Sequence, residues 1–153
     1  MDPRAKVTLA TQEDAAELGR LMRPEDRREV LAMGFTPEFA ASHAVRASLA
    51  AYAGRVDGEL VGVFGVSLVG LMSSTGVPWL LCTPAVDEWP TGSGLESARF
   101  HRVLKQRFKR LENFVHAENE PAIRWLRWLG YNIDEPRPFG PYGALFCRFW
   151  MEV

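Results

Sequence analysis

The sequence predicts one mixed α/β domain, an antiparallel meander joined to parallel strands with helices packed on the sheet. Three observations carry this. The 153 residues are 47% apolar and 24% charged, a globular composition at a length that buries a core without disulfides or metals. Asp57-Gly58 separates two apolar runs in "AYAGRVDGELVGVFGVSLV", a strong two-residue hairpin signal. Strand-helix-strand steps then follow in the second half, and such steps run strands parallel in one sheet.

Taken in order, "KVTLAT" reads as a first strand. "TQEDAAELGRLM" is a helix with Thr11 as cap and acids in its first turn, where the helix dipole favours them. "RPEDRREVLAMG" restarts at Pro24 and stops at Gly34. "TPEFAASHAVRASLA" repeats the pattern from Thr36 and Pro37, with Phe39, Ala40, Ala44 and Ala47 along one face. The second hairpin arm is nearly all apolar, which places it centrally and covers both of its faces. "GVPWLLCT" is a buried strand ended by Pro84, and "TPAVDEWPTGSG" leads into a long amphipathic helix. Phe100, Val103, Leu104, Phe108 and Leu111 keep its helical spacing. "NFVHA" is a strand, "PAIRWLRWLG" a helix, "YNI" a short strand and "GALFCRFWMEV" the last strand. The element order is β-α-α-β-β-β-α-β-α-β-β. No linker, repeat or low-complexity segment divides residues 1–153, so a single domain is expected.

Net charge is −1 at a pI near 6.3, which argues against a nucleic-acid binder. The charge is uneven: residues 1–92 hold 12 acids and 8 bases, residues 93–153 hold 7 and 10. The basic run Arg99, Arg102, Lys105, Arg107, Lys109 and Arg110 reads first as the solvated side of a helix, with phosphate contact as the alternative. Cys82 and Cys147 sit in apolar stretches without metal-ligand spacing, so they read as buried free thiols of a reducing compartment. No metal site is expected. The N-terminus lacks an apolar signal core and no run approaches the ~18 apolar residues of a membrane span. The expectation is a cytoplasmic-type protein.

The segment "NEPAIRWLRWLGYNI" then narrows the reading. Asn119, Ala122, Gly130 and Tyr131 resemble the fourth conserved region of the GNAT acyltransferase family, and the element order is similar over essentially the whole chain. The resemblance implies the GNAT-like fold and acetyl-CoA as cofactor, with the pantetheine arm beside Asn119. It also implies that backbone N–H groups of Leu81, Cys82 and Thr83 hold the thioester carbonyl. The loop "WPTGSG" supplies Gly92, Ser93 and Gly94 for the pyrophosphate, where backbone N–H groups at a helix start suit an anion. A plain turn into a helix explains that loop about as well. The spacing of "DRREVLAMGFTPEF", "WLLCT" and "LENFVHAENEPAIRWLRWLGYNI" is similar, more narrowly, to GNAT-like proteins of T7-type phages, a group that includes an internal virion protein.

Two positions depart from the family pattern. Trp89 stands where Arg or Gln precedes the glycines, and Leu126 stands where a Tyr commonly protonates the leaving thiolate. For the base that takes the amine proton the candidates are Glu88, with Asp87 beside it, and His116. Each has an ordinary reading too. Asn119 is a good helix N-cap with or without a ligand, Trp125, Trp128 and Leu129 form a core stripe, and His116 is a strand histidine.

Two functions of different class follow. The first is an acetyl-CoA-dependent N-acyltransferase acting on a small-molecule or protein amine. The second is a phage structural or host-interaction protein that keeps the fold with little chemistry, in the host cytoplasm or the virion. A second copy of the chain stays open as a partner in either.

Overall fold

The computed structural model of the protein describes residues 4–88 and 90–153, with residues 90–97 described by their backbone alone. The order is β1 (Ala5–Leu9), α1 (Gln12–Leu21), α2 (Pro24–Ala32), α3 (Pro37–Ala47), β2 (Ala50–Val56), β3 (Glu59–Leu68) and β4 (Thr75–Cys82). A 3-10 turn at Pro84–Asp87 leads to α4 (Pro90–Arg107), then β5 (Arg110–His116), α5 (Glu120–Leu129), β6 (Asn132–Ile133), β7 (Arg137–Phe139) and β8 (Ala144–Glu152). One sheet runs β1-β2-β3-β4-β5-β8-β6, with β7 also on β8. Among the described residues no helix is long and apolar enough to cross a membrane.

Local chemistry sets the boundaries. Thr11 caps α1 in a full capping box, its hydroxyl accepting from Asp14 N–H while the Asp14 carboxylate accepts from Thr11 N–H. Thr36 caps α3 ahead of Pro37. Asp57 and Gly58 both have positive φ, 50° and 80°, the type I′ turn that matches strand twist. Asn119 caps α5 by accepting from Ala122 N–H, and Gly130 ends it in the left-handed region at φ 100°.

The helices divide between the two faces. On one face α1–α3 bury Ala15, Leu18, Val30 and Ala41 against Ala53, Leu60, Val63 and Leu81. On the other, α4 and α5 bury Leu104, Phe108 and Leu126 against Val66, Leu111, Val115 and Phe149. At about 1.5–3 kcal/mol per fully buried large side chain, these two cores hold the helices on the sheet.

Within the sheet one junction is a narrow seam. β4 and β5 are parallel and share two pairs, Thr75↔Arg110 and Gly76↔Leu111. Beyond Gly76 the strands separate while each keeps its antiparallel neighbour, β3 or β8. Gly76 allows the close approach: a Cβ there would lie 2.9 Å from the Phe108 ring and 3.1 Å from Leu111.

Several expectations need correction. Three helices, not two, fill the first crossover, and β7 adds a strand. Helix α3 buries Pro37 and Ala41, while Phe39 and Ala47 face water, because α1 and α2 cover only one side of it. Val103 of α4 is exposed, and Trp128 is 64% exposed. Trp125 and Leu129 do pack on the core, so the indole pair straddles the helix edge. Gly92 and Gly94 fall within α4, which begins at Pro90 rather than after the glycines.

Candidate functional site

The separation of β4 and β5 opens a slot through the sheet, and its chemistry follows from strand parity. In the β3–β4 ladder Thr83 N–H donates to Val61 C=O, toward β3. Cys82 points the other way: its N–H donates to Asp26 Oδ2 at 2.8 Å and its C=O accepts from Arg23 N–H at 2.9 Å. Directions alternate along a strand, so Leu81 and Trp79 bond to β3, whereas Pro78, Leu80 and Cys82 face the slot. Pro78 has no N–H to offer, and its C=O accepts from Asn113 Nδ2 across the gap at 2.8 Å. That leaves Leu80, whose N–H and C=O both point into the slot where β5 no longer runs alongside.

The closed end of the slot is a buried polar hub on α2. Asp26, 1% exposed, accepts from Cys82 N–H, from Arg23 Nε at 2.9 Å and from Asn119 Nδ2 at 3.1 Å. One carboxylate thereby ties α2 to the end of β4 and the start of α5. Burial of a charge is tolerated here because the Arg23 guanidinium pairs with it and all three bonds are charge-assisted. One turn on, Glu29 Oε1 accepts from His116 N–H at 2.7 Å and, more weakly, from Asn119 Nδ2 at 3.5 Å. The Glu29 stem is partly exposed while its carboxylate lies in the slot. Burial there pushes its pKa up to about 7; the nearby Asp26 charge adds to the rise, and the bonds from His116 and Asn119 and the charge of Arg23 oppose it.

A cavity of about 370 Å³ runs from this hub along the sheet between α4 and α5, past Leu80, Ala122, Trp125 and Leu126. His101 and Tyr131 also line it, with His101 Nε2 and the Tyr131 hydroxyl 2.8 Å apart. Burial, with the Lys105 charge adding, lowers the His101 pKa to about 4, and burial raises that of Tyr131. Burial also pushes the Cys82 thiol up to about 12, so it is a neutral wall and no nucleophile. Cys82 and Cys147 are both buried and free.

The expected site residues are distributed unevenly around this cavity. The N–H groups of Leu81 and Thr83 face β3 and that of Cys82 is held by Asp26, so the slot-facing donor is one residue earlier, at Leu80. The Thr83 hydroxyl is spent on Leu60 C=O and on capping the 3-10 turn. Asn119 lines the cavity, but its amide is committed to Asp26, Glu29 and the α5 cap. Gly92, Ser93 and Gly94 lie in the first turns of α4, and Trp89 lies outside the described residues. Glu88 is exposed after the 3-10 turn; Asp87, beside it, does line the cavity. The His116 ring packs edge-on against Phe146, with its Nδ1 accepting from Glu118 N–H, so only its backbone reaches the slot.

Sequence reasoning missed Glu29, Asp26 and Leu80. A signal existed for the two acids. Asp26, Glu29, Val30 and Met33 fall at i, i+3, i+4 and i+7, so the stripe that must face the protein carries two carboxylates. For Leu80 the signal is Pro78: a proline in a central strand requires a gap on its N–H side.

No family model and no curated protein sequence matches the chain. Solved structures do. The chain is similar to Ard1 from Thermoplasma volcanium, with TM-score 0.71 and 17% identity over 98% of each chain. It is also similar to yncA from Salmonella typhimurium, solved with its cofactor acetyl-CoA, with TM-score 0.67 and 14% identity over 97% of this chain and 94% of that one. A third is a GNAT-family acetyltransferase from Streptococcus pneumoniae, with TM-score 0.63 and 14% identity over 97% and 99%. The fold is that of the GNAT acetyltransferases.

Proposed function

We propose that the protein is an acetyl-CoA-dependent N-acetyltransferase. The observation that carries this is the slot: a strand whose Leu80 N–H and C=O are aimed into a gap, with the Glu29 carboxylate on the same gap. An extended amide-bearing arm fits such an edge, because an unpaired strand segment takes a new chain as a further strand. Acetyl-CoA, when bound, supplies an activated acetyl group for transfer to an amine, with release of the thiol. The protein's part is to hold and to move protons. Leu80 N–H donates to a carbonyl oxygen in the slot and stabilises charge that develops there. Glu29 takes the proton from an incoming ammonium, a role suited to a carboxylate whose two protonation states are both populated near neutrality.

The remaining site residues take supporting places. Gly92 would meet the phosphates through its backbone N–H, which falls among the unpaired donors of a helix beginning at Pro90, whereas the N–H groups of Ser93 and Gly94 lie one step further along, inside the helix ladder, and would only flank them. Asn119 acts as a positioning residue, fixing α5 and Glu29 relative to Asp26. Leu81, Cys82 and Thr83 hold β4 in place beside Leu80, and neither Glu88 nor the His116 ring has a chemical role.

The test is thermal unfolding with and without saturating acetyl-CoA. Ligand at about 100 times its dissociation constant adds about 2.7 kcal/mol, or roughly 5–10 °C at this size. A flat midpoint at millimolar acetyl-CoA overturns the proposal. That result would favour the second reading, a phage structural or host-interaction protein that has kept the fold, toward which the narrower resemblance points. The observation behind that reading is that Leu126 is buried in the core and the Asn119 amide is fully engaged inside the protein.

A further inference from the structure

The slot opens on both faces of the sheet. Opposite the α4/α5 side, a second cavity of about 240 Å³ lies between α2, β5, β7 and β8 and shares Glu29, Asn113 and Phe114 with the first. Parity on β5 explains the shared wall: Leu111 and Val115 face α4 and α5, so Phe114 faces the other side, while Asn113 bridges the slot to Pro78. The second cavity is aromatic. Phe114 and Phe139 stack at 4.0 Å and 13°, and Phe146 meets Phe139 edge-on at 5.8 Å. Met33 and Phe35 close the α2 side. Phe35 in turn contacts Phe39 at 5.5 Å, and both rings are more than 40% exposed, so the mouth is aromatic as well.

We infer that this second cavity is the acceptor subsite, and that the acceptor is a monoamine with an aromatic body, its ring against Phe139 and its nitrogen at the Glu29 carboxylate. This rests on the acetyltransferase reading for the adjoining cavity. Three features select the class. A cavity of about 150 Å³ takes a benzene, so this one accommodates a single ring with a short arm. Ring walls at stacking and edge-on angles favour an aromatic guest over an aliphatic one. Among the described residues Glu29 is the one charged side chain on the lining, and Asp26, whose charge acts on it, is paired with Arg23. A polyamine would leave its second ammonium without a counter-charge, and an amino acid would bring a carboxylate against Glu29.

The test compares 2-phenylethylamine, ethanolamine and putrescine, by calorimetric binding in the presence of CoA and by acetyl transfer. The expected result is a preference for 2-phenylethylamine on the order of 10–100-fold in both readouts. Phe139→Ala and, separately, the exposed Phe35→Ala should erode that preference with CoA affinity unchanged. Equal binding of the three amines, or a preference that survives both substitutions, overturns the inference. The two failures are distinguishable. An acetyl-CoA shift in melting without amine selectivity removes the subsite and leaves the acetyltransferase reading. Selective amine binding lost in Phe139→Ala, with no response to acetyl-CoA, removes that reading and keeps the subsite.

Discussion

Replacing Glu29 by Gln separates the chemistry of the slot from its architecture. Gln keeps an oxygen that can accept from His116 N–H and removes only the ionisation. In the folded protein the Glu29 pKa is raised from 4.5 to about 7. Between those values the native state holds a proton that the unfolded chain has lost. Wild-type stability from this group is therefore fully present below pH 4.5 and is lost as pH rises through 7. The shift corresponds to about 3 kcal/mol at 1.36 kcal/mol per unit. Measured by urea unfolding from pH 4 to 8.5, E29Q should gain on wild type by about that amount as pH rises. In melting temperature the gain is roughly 6–12 °C. A stability gap between the two proteins that stays constant over this range refutes the reasoning, since it means the carboxylate titrates as it does in water. In acetyl transfer the same variant should lose about 10²–10⁴ in kcat/KM, along with the limb of the pH profile near 7.

Leu80→Pro deletes the slot-facing N–H in the manner Pro78 already tolerates on the same strand edge. Circular dichroism should show a retained fold, while kcat falls by about 10²–10³ if that donor stabilises the developing oxyanion; an unchanged kcat refutes its role. Gly76→Ala places a methyl within 2.9 Å of Phe108 and should destabilise the protein by about 1–3 kcal/mol in denaturant titration. His101, with its pKa lowered to about 4 by burial, withholds stability in acid. This contribution is intact above pH 6.5 and disappears as pH falls toward 4, amounting to about 3 kcal/mol. Because Glu29 acts in the opposite direction over part of that window, the His101 decline should be read in the E29Q background, and His101→Gln should abolish it.

The fold was legible because its signals are local. Asp57-Gly58 favours a tight hairpin, Pro24 and Pro37 each follow a cap position and suit a helix start, and Gly130 after an amphipathic run suits a helix end. The three-helix crossover was written in the same caps, at Thr11, Pro24 and Thr36, although the element order credited it with only two helices. The site was less legible because it depends on register. Which of Leu80, Leu81 or Cys82 faces the slot is decided by pairing with β3, and one residue of register reverses every direction. Glu29 becomes a candidate base only when α2 lays it against β5, 87 residues later in the chain at His116. The face of α3 was misjudged for a similar reason: Phe39 is the larger residue, but Ala41 is what fits against α1, where Gly19 meets Glu38 backbone closely enough to exclude a Cβ.

The two-pair seam between β4 and β5 has a consequence for motion. A sheet normally resists shear because each strand is laddered to both neighbours along its length. Here the ladder is cut to Thr75 and Gly76, and across the open stretch the strands are tied by Asn113 Nδ2 on Pro78 C=O and by the Asp26 hub, which acts as a strap. The width of the slot is therefore set by side-chain ties rather than by a backbone ladder. Amide exchange should read this directly on β4. The amides of Leu80 and Cys82 should exchange differently, one open to the slot and the other locked under the strap.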